Sequence, residues 1–188
     1  MRRLVRALTL LVGLSSLAGG PTVARYPAPE PGFQSLFNGH DLSGWRLGNN
    51  ILNGKTGSAD GRFEVENGEI VVNAGKDVEL LDTTRQFNHN FILKLEYRAA
   101  PRADSGLFIR GHQLQVRDYP RVGPYRVPRF KEGGWNELDV VVIARKAICT
   151  SDGTVLEKAF EIPATGSIAL QAEKGRFEYR RIEVREQT

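Results

Sequence analysis

The sequence has one cysteine, Cys149, among 188 residues, so no disulfide can form within the chain. A domain without disulfides depends on a buried core for its stability. Cys149 lies between Ile148 and Thr150 in a run typical of a strand, and no histidine is near it in the sequence. We therefore expect a buried, unreactive thiol rather than a nucleophile.

Histidine is also scarce. His40, His89 and His112 are the only three, and none forms the His-x-His or His-x-x-x-His spacing that zinc sites use. We predict no metal site and no cofactor, with a bound divalent metal as the alternative. The chain also lacks a Ser-His-Asp order, a glycine-rich phosphate loop and the closely spaced acids of a retaining glycosidase.

No segment repeats apolar residues every 3.6 positions over three turns, which argues against amphipathic helices. Period-two alternation dominates instead, most clearly over residues 91–98. Asn67-Gly68 and Ser151-Asp152-Gly153 separate strand-like runs, and such residues favour tight hairpins. Many short strands with glycine and asparagine turns predict an all-β, two-sheet antiparallel sandwich in one domain, residues 33–186.

The longest apolar run is at the N-terminus. Arg2, Arg3 and Arg6 precede mostly apolar residues 7–17, and Ser16-Leu17-Ala18 matches a signal peptidase site. The run is shorter than the roughly 20 residues that a membrane span needs. We predict a signal peptide over residues 1–18, and therefore a secreted or periplasmic protein.

A lipid anchor is not expected, because Gly20 stands where the lipidated cysteine of a lipoprotein would be required. Residues 19–32 are proline-rich, and we predict an extended linker with few partners. Removing residues 1–18 lowers the formal charge from +4 to about +1. A nearly neutral chain argues against a nucleic-acid partner. The oligomeric state stays open.

The most suggestive polar residues lie on two predicted neighbouring strands. If residues 105–110 form a strand, Gly106, Phe108 and Arg110 share one face, and Gln113 and Gln115 share a face of the next strand. Amides and a guanidinium beside an aromatic ring suit sugar hydroxyls, which both donate and accept hydrogen bonds. We therefore expect a small-molecule carbohydrate ligand. The alternative is a solvated sheet face with internally satisfied polar pairs.

An ordered set of motifs resembles the bacterial secreted 3-keto-disaccharide hydrolase domains. The motifs are Ser35-Leu36-Phe37-Asn38-Gly39, Leu42-Ser43-Gly44-Trp45, Ser105-Gly106-Leu107-Phe108-Ile109-Arg110, Gly133-Gly134-Trp135-Asn136, Gly166-Ser167-Ile168-Ala169-Leu170-Gln171 and Phe177-Glu178-Tyr179-Arg180-Arg181-Ile182. They run from Phe33 to about Val184. The resemblance implies a concanavalin-like jelly-roll sandwich that acts on 3-keto-glycosides.

This resemblance implies a specific chemistry. A ketone at C3 acidifies the C2 proton, so a base can remove it, the group at C1 leaves by elimination, and water then adds. We predict catalytic roles for Asp118 and His112 as bases and for Arg110 as an enolate-stabilising or sugar-binding group. Asp104 and Glu137 are further candidate bases. The predicted substrate-binding residues are Trp45, Asp104, Gln113, Gln115 and Tyr125.

Gln113 stands where these domains usually carry glutamate, and an amide cannot transfer a proton as a carboxylate does. Two alternatives to an enzyme therefore stay open. One is a non-catalytic carbohydrate-binding module on the same sandwich, and the other is an extracellular interaction domain.

Overall fold

The protein is described by a computed structural model that covers residues 26–117 and 129–187. The predicted signal peptide, Asp118 and Tyr125 lie outside these residues. Every regular element within them is a strand. No helix of this part of the chain is long and apolar enough to cross a membrane.

Fourteen strands follow one another along the described residues. In chain order they are β1 (Gln34–Ser35), β2 (Trp45–Leu47), β3 (Asn50–Ile51), β4 (Phe63–Glu66), β5 (Glu69–Val72), β6 (Glu79–Thr83), β7 (Asn90–Ala99), β8 (Ser105–Ile109), β9 (His112–Arg117), β10 (Asn136–Ile143), β11 (Lys146–Ser151), β12 (Thr154–Glu161), β13 (Ile168–Ala172) and β14 (Phe177–Gln187).

The strands form two antiparallel sheets. The larger sheet has the order β12-β11-β10-β7-β14-β5-β4, with β1 paired to β14, and the smaller has the order β3-β2-β6-β13-β8-β9. Several neighbours in each sheet are distant in sequence, such as β7 and β14. These long-range pairings interleave the two ends of the chain, so the described residues form a single sandwich.

Both predicted hairpins are confirmed. Asn67 and Gly68 join β4 to β5 with φ of 51° and 81°, and Asp152 and Gly153 join β11 to β12 with φ of 45° and 72°. Consecutive positive φ values give a turn whose twist matches the flanking strands, and Asn, Asp and Gly tolerate that conformation best.

The core lies between the sheets, and alternation along β7 shows how the sequence builds it. Phe91, Leu93, Leu95 and Tyr97 are buried, whereas the residues between them are partly exposed. Each such burial contributes roughly 1.5–3 kcal/mol relative to an exposed side chain. Cys149 lies in the same core, and burial raises the pKa of its thiol, as its apolar sequence context predicted.

The described end of the proline-rich segment packs on the sandwich, which corrects the prediction of few partners for residues 19–32. The Tyr26 ring meets Phe37 edge-on with centroids 5.5 Å apart, and its hydroxyl accepts a hydrogen bond from the Arg181 backbone at 2.7 Å. Glu30 forms an ion pair with Lys94 at 2.6 Å. Within the described residues, contact with the folded domain therefore extends back to Tyr26, before the predicted boundary at residue 33.

Candidate functional site

The outer surface of β13, β8 and β9 carries a group of polar side chains next to an aromatic ring. Register pairs Gly106 with Gln115 and Phe108 with Gln113, and Gln171 lies on β13 beside them. The alternate residues of β8 and β9 point into the core. We call this surface, formed by Gln113, Gln115, Gln171, Phe108 and the Gly106 backbone, the glutamine face.

Hydrogen bonds join the amides of this face into one row. Gln113 Nε2 donates to Gln171 Oε1 and to Gln115 Oε1, both at 3.0 Å. Gln115 Nε2 in turn donates to Asp104 Oδ1 at 2.5 Å and to the Ser105 backbone oxygen at 3.2 Å. Asp104, directly before β8, therefore belongs to the same constellation. Gln113 and Gln115 share a face, as strand alternation predicted, and their substrate-binding role stays a prediction.

Gly106 leaves the space in which these amides meet. A Cβ at this position would lie 2.7 Å from Gln171 Oε1 and 2.9 Å from Gln113 Nε2. Both distances are shorter than a normal van der Waals contact. A glycine in a strand interior often marks such a close approach, and here it lets two side chains from the flanking strands bond across β8.

Ser105 fixes the start of β8 against its neighbours. Its hydroxyl donates to the Gln171 backbone oxygen at 2.7 Å and lies 3.0 Å from the Tyr179 hydroxyl of the other sheet. Burial raises the pKa of Tyr179, so this phenol stays neutral. A buried polar contact between the two sheets therefore fixes the backbone of Gln171 on its core side.

Arg110 does not lie on the glutamine face, and the prediction that it shares a surface with Gln113 and Gln115 is wrong. β8 ends at Ile109, and Arg110 has φ of 52°, so strand alternation no longer applies to it. Arg110 is 2% exposed, and burial lowers the pKa of its guanidinium. It donates to three backbone oxygens, those of His89 (2.5 Å), Ala144 (3.0 Å) and Pro163 (3.4 Å). Arg110 is therefore a structural cross-link between loops.

His112 and Trp45 also lie away from this face, which corrects their predicted roles. The His112 ring stacks on Phe160 of the other sheet with centroids 5.0 Å apart, because it points to the opposite side of β9 from Gln113. Trp45 has no exposed surface, and its Nε1 donates to the Leu36 backbone oxygen at 2.8 Å. A residue without accessible surface cannot contact a substrate, so Trp45 is part of the core.

One carboxylate ends the amide row, and another lies on a neighbouring strand. Asp104 contacts Gln115, whereas Asp82 on β6 pairs in register with Ala169 of β13 and accepts a hydrogen bond from Ser167 at 2.5 Å. Asp82 also pairs in register with Arg46 of β2. Across residues 26–117 and 129–187, no three His, Cys, Asp or Glu side chains are grouped to hold a metal ion.

Sequence patterns alone do not identify Gln171 as a site residue. All five residues of β13 are buried, so alternation of burial does not reveal which of them point outward. The available signal was its place at the end of Gly166-Ser167-Ile168-Ala169-Leu170-Gln171, one of the quoted motifs. Asp118 and Tyr125 lie outside the described residues, and their roles stay predictions.

A cavity of about 650 Å³ lies over the larger sheet, lined in part by Tyr26, His40, Glu69 and Arg180. Its charged side chains already form ion pairs. Glu96 bonds Arg180 at 2.6 Å and Arg181 at 3.0 Å, and Glu69 pairs with an arginine at 3.3 Å. The glutamine face is the stronger candidate site, because Gln171 Nε2 and Gln113 Oε1 have no partner among the described residues.

Comparison with known protein families shows to which family the chain belongs. A family model described as the 3-keto-alpha-glucoside-1,2-lyase-like domain matches residues 32–185. The chain belongs to this family. The match covers nearly all described residues, including both sheets, so the predicted family is confirmed for the whole sandwich. In this lyase-like domain, the glutamine face is built by three strands within the matched range.

Solved structures agree on the fold. Two candidate glycosyl hydrolases of Parabacteroides distasonis ATCC 8503 superpose on the lyase-like domain. The first gives a TM-score of 0.64 at 18% identity over 84% of this chain and 95% of its own. The second gives 0.63 at 13% identity over 82% and 99%. No curated protein matches the sequence. At these identities the similarity shows the fold, and it confirms the predicted all-β jelly-roll sandwich.

Proposed function

We propose that this chain cleaves 3-keto-glycosides on the glutamine face. The observation that carries the proposal is the row of three amides hydrogen-bonded to Asp104. Membership of the lyase-like domain family supports the substrate class, because the description of the family names a 3-keto-alpha-glucoside 1,2-lyase.

Sugar binding follows from the side chains of this face. Among the described residues, Gln171 Nε2 offers a donor and Gln113 Oε1 an acceptor, as sugar hydroxyls require. Phe108 is partly exposed in the same surface and can cover the apolar C–H side of a sugar ring. Because amides do not titrate, binding through Gln113 and Gln171 should vary little with pH.

Asp104 is our candidate for the general base. Its carboxylate takes the C2 proton, and the C–H electrons form an enolate that ends on the C3 oxygen. The enolate then expels the alcohol at C1, which takes up a proton, and leaves a C1–C2 double bond conjugated to the ketone. Water adds to C1, a proton returns to C2, and the net result is hydrolysis. Gln115 positions Asp104 through the 2.5 Å hydrogen bond. Asp118 remains the second candidate base.

Cleavage of matched sugars tests this proposal. Purified protein is incubated with 3-keto-trehalose or with trehalose, and released monosaccharide is measured. We expect cleavage of the keto sugar alone, because only the ketone acidifies the C2 proton. Asp104→Asn should lower kcat by about 10²-fold or more, since loss of a general base typically costs 10²–10⁴-fold. Asp77→Asn, an exposed change before β6, is the matched control and should leave kcat unchanged. Equal cleavage of both sugars, or of neither, contradicts the proposal.

A second candidate function is carbohydrate binding without catalysis. The observation that favours it is the amide at Gln113 in the middle of the face, where a carboxylate could have transferred a proton. The same experiment separates the two functions. Saturable binding of unoxidised trehalose together with no turnover of the keto sugar would establish a binding module.

We also propose that the protein acts outside the cytoplasm, as the signal sequence over residues 1–18 predicts. Mass spectrometry of the protein recovered after expression in a bacterial host should show a chain that begins at residue 19. An intact chain that starts at Met1 in the cytoplasm would contradict export.

A further inference from the structure

The amide row has a fixed direction of hydrogen bonding. Gln115 faces the backbone oxygen of Ser105 and the carboxylate of Asp104, at 3.2 Å and 2.5 Å. A backbone carbonyl and an ionised carboxylate only accept hydrogen bonds. Gln115 must therefore turn its amide nitrogen toward them, and its Oε1 faces Gln113.

The orientation of the Gln115 amide fixes that of Gln113, and Gln113 in turn fixes that of Gln171. Gln115 presents Oε1, which only accepts, so Gln113 must present its nitrogen. The two N–H groups of Gln113 serve Gln115 and Gln171, both at 3.0 Å. Gln171 accepts through Oε1, and its Nε2 is consequently turned away from the row.

Two groups remain for a ligand. Among the described residues, Gln171 Nε2 has no hydrogen-bond acceptor and Gln113 Oε1 has no donor. Gln171 as a whole is 4% exposed, but its Nε2 is not among the buried side-chain atoms of the described residues that lack a partner, so this nitrogen keeps contact with solvent. A ligand oxygen can therefore reach this nitrogen and accept its hydrogen bond in place of water.

We propose that Gln171 Nε2 donates to the C3 oxygen of the substrate and stabilises the enolate, while Gln113 is the positioning residue that sets the orientation of Gln171. This inference rests on the proposed cleavage of 3-keto-glycosides. A ketone oxygen only accepts, and it gains negative charge as the C2 proton leaves, so a preorganised donor binds the transition state more strongly than the ground state. The adjacent Gln113 Oε1 suits a neighbouring hydroxyl.

Replacing the donor itself tests the proposal at nearly constant side-chain size. In Gln171→Glu, one carboxylate oxygen still accepts from Gln113 Nε2, and the other takes the place of Nε2 and faces the C3 oxygen. Two acceptors that face each other are repulsive. In Gln113→Leu, Gln171 loses its partner and is free to take either orientation. Gln113 is exposed, so Gln113→Leu should fold, and thermal unfolding checks the fold of Gln171→Glu.

The kinetic experiment compares these variants on 3-keto-trehalose. We expect Gln171→Glu to lower kcat by about 10²–10³-fold, as for loss of an oxyanion donor, and Gln113→Leu to lower it by about tenfold, because part of the population keeps the productive orientation. Gln187→Glu, the same exchange on an exposed end of β14, is the control and should match the wild type. Equal kcat in Gln171→Glu and wild type overturns the proposal.

A second readout needs no substrate. NMR measures exchange of the side-chain NH₂ groups of Gln113, Gln115 and Gln171 with solvent. In the wild type, the NH₂ group of Gln171 should exchange faster than those of Gln113 and Gln115. In Gln113→Glu it should become protected, because the carboxylate only accepts and the Gln171 nitrogen must turn toward it. A protected Gln171 NH₂ in the wild type overturns the inferred direction. If the wild type cleaves no 3-keto sugar, the proposed function fails, whereas the exchange rates still decide the orientation.

Discussion

Gln113 Nε2 lies 3.0 Å from Gln171 Oε1, and this hydrogen bond passes over β8 at Gly106. It connects the side chains of β9 and β13, which are separated in the sheet by the strand between them. The contact exists because residue 106 has no side chain. The geometry of the candidate site therefore depends on Gly106, although this residue has no side chain with which to bind a ligand.

Gly106→Ala should disrupt the site more than the fold. Its Cβ would push Gln113 and Gln171 apart, and both can shift because they are side chains. We expect kcat/KM on 3-keto-trehalose to fall by about tenfold or more, and the free energy of unfolding to fall by only about 1 kcal/mol. Gly57→Ala is the control, since its nearest new contact is 3.3 Å and lies away from this face. Unchanged kcat/KM in Gly106→Ala would contradict the role of the row.

Arg110→Ala should reduce stability. The change leaves three backbone oxygens without their buried donor, so we expect a loss of about 3 kcal/mol in the free energy of unfolding, measured by urea denaturation. Arg185→Ala removes an exposed arginine that stacks on Phe33 at 4.8 Å, and should cost about 1 kcal/mol or less. A catalytic role for Arg110 would be indicated instead if stability were retained while kcat was lost.

Trp45→Phe should destabilise the sandwich and leave sugar binding unchanged. The substitution removes the 2.8 Å hydrogen bond from Trp45 Nε1 to Leu36 and leaves a cavity in the core. We expect a loss of about 2 kcal/mol in thermal or urea unfolding. The affinity for the sugar, measured by calorimetry well below the melting temperature, should equal that of the wild type. A weaker affinity of the variant for the sugar would indicate that Trp45 does contact the substrate.

Glu178 should make stability depend on pH. Burial opposes its ionisation, but hydrogen bonds from Arg98 and Arg176 outweigh burial and lower the pKa of Glu178 below its ordinary value of 4.5. A lowered folded-state pKa stabilises the fold above pH 4.5, and the contribution is lost as the pH falls through the folded-state pKa. Glu178→Gln should cost about 1–2 kcal/mol at pH 7, and the difference from wild type should shrink below pH 4.5.

Glu161→Gln provides the comparison for this pH series. Glu161 forms a 3.8 Å pair with Lys146, and both side chains are mostly exposed. Exposed pairs contribute little, so the variant should follow the wild type within about 0.5 kcal/mol at every pH. A constant difference between Glu178→Gln and wild type from pH 7 to pH 3 would exclude the proposed linkage.

The sequence predicts the sandwich well because strand alternation and turn residues are local signals. β7 alternates as expected, and Asn67-Gly68 closes its hairpin. Alternation also brings Gln113 and Gln115 to one face. The same rule fails at Arg110, because a positive φ at the end of β8 turns its side chain away from the face. It cannot identify Gln171, because β13 is buried throughout.

Deuterium incorporation during turnover tests the proposed elimination most directly. 3-Keto-trehalose is cleaved in D₂O, and deuterium at C2 of the released 3-keto sugar is measured by mass spectrometry, after subtraction of exchange in an enzyme-free sample. Because the reaction removes the C2 proton and later replaces it from solvent, we expect about one deuterium at C2 for each cleavage. Cleavage without enzyme-dependent deuterium at C2 would contradict the elimination and indicate direct hydrolysis of the glycosidic bond.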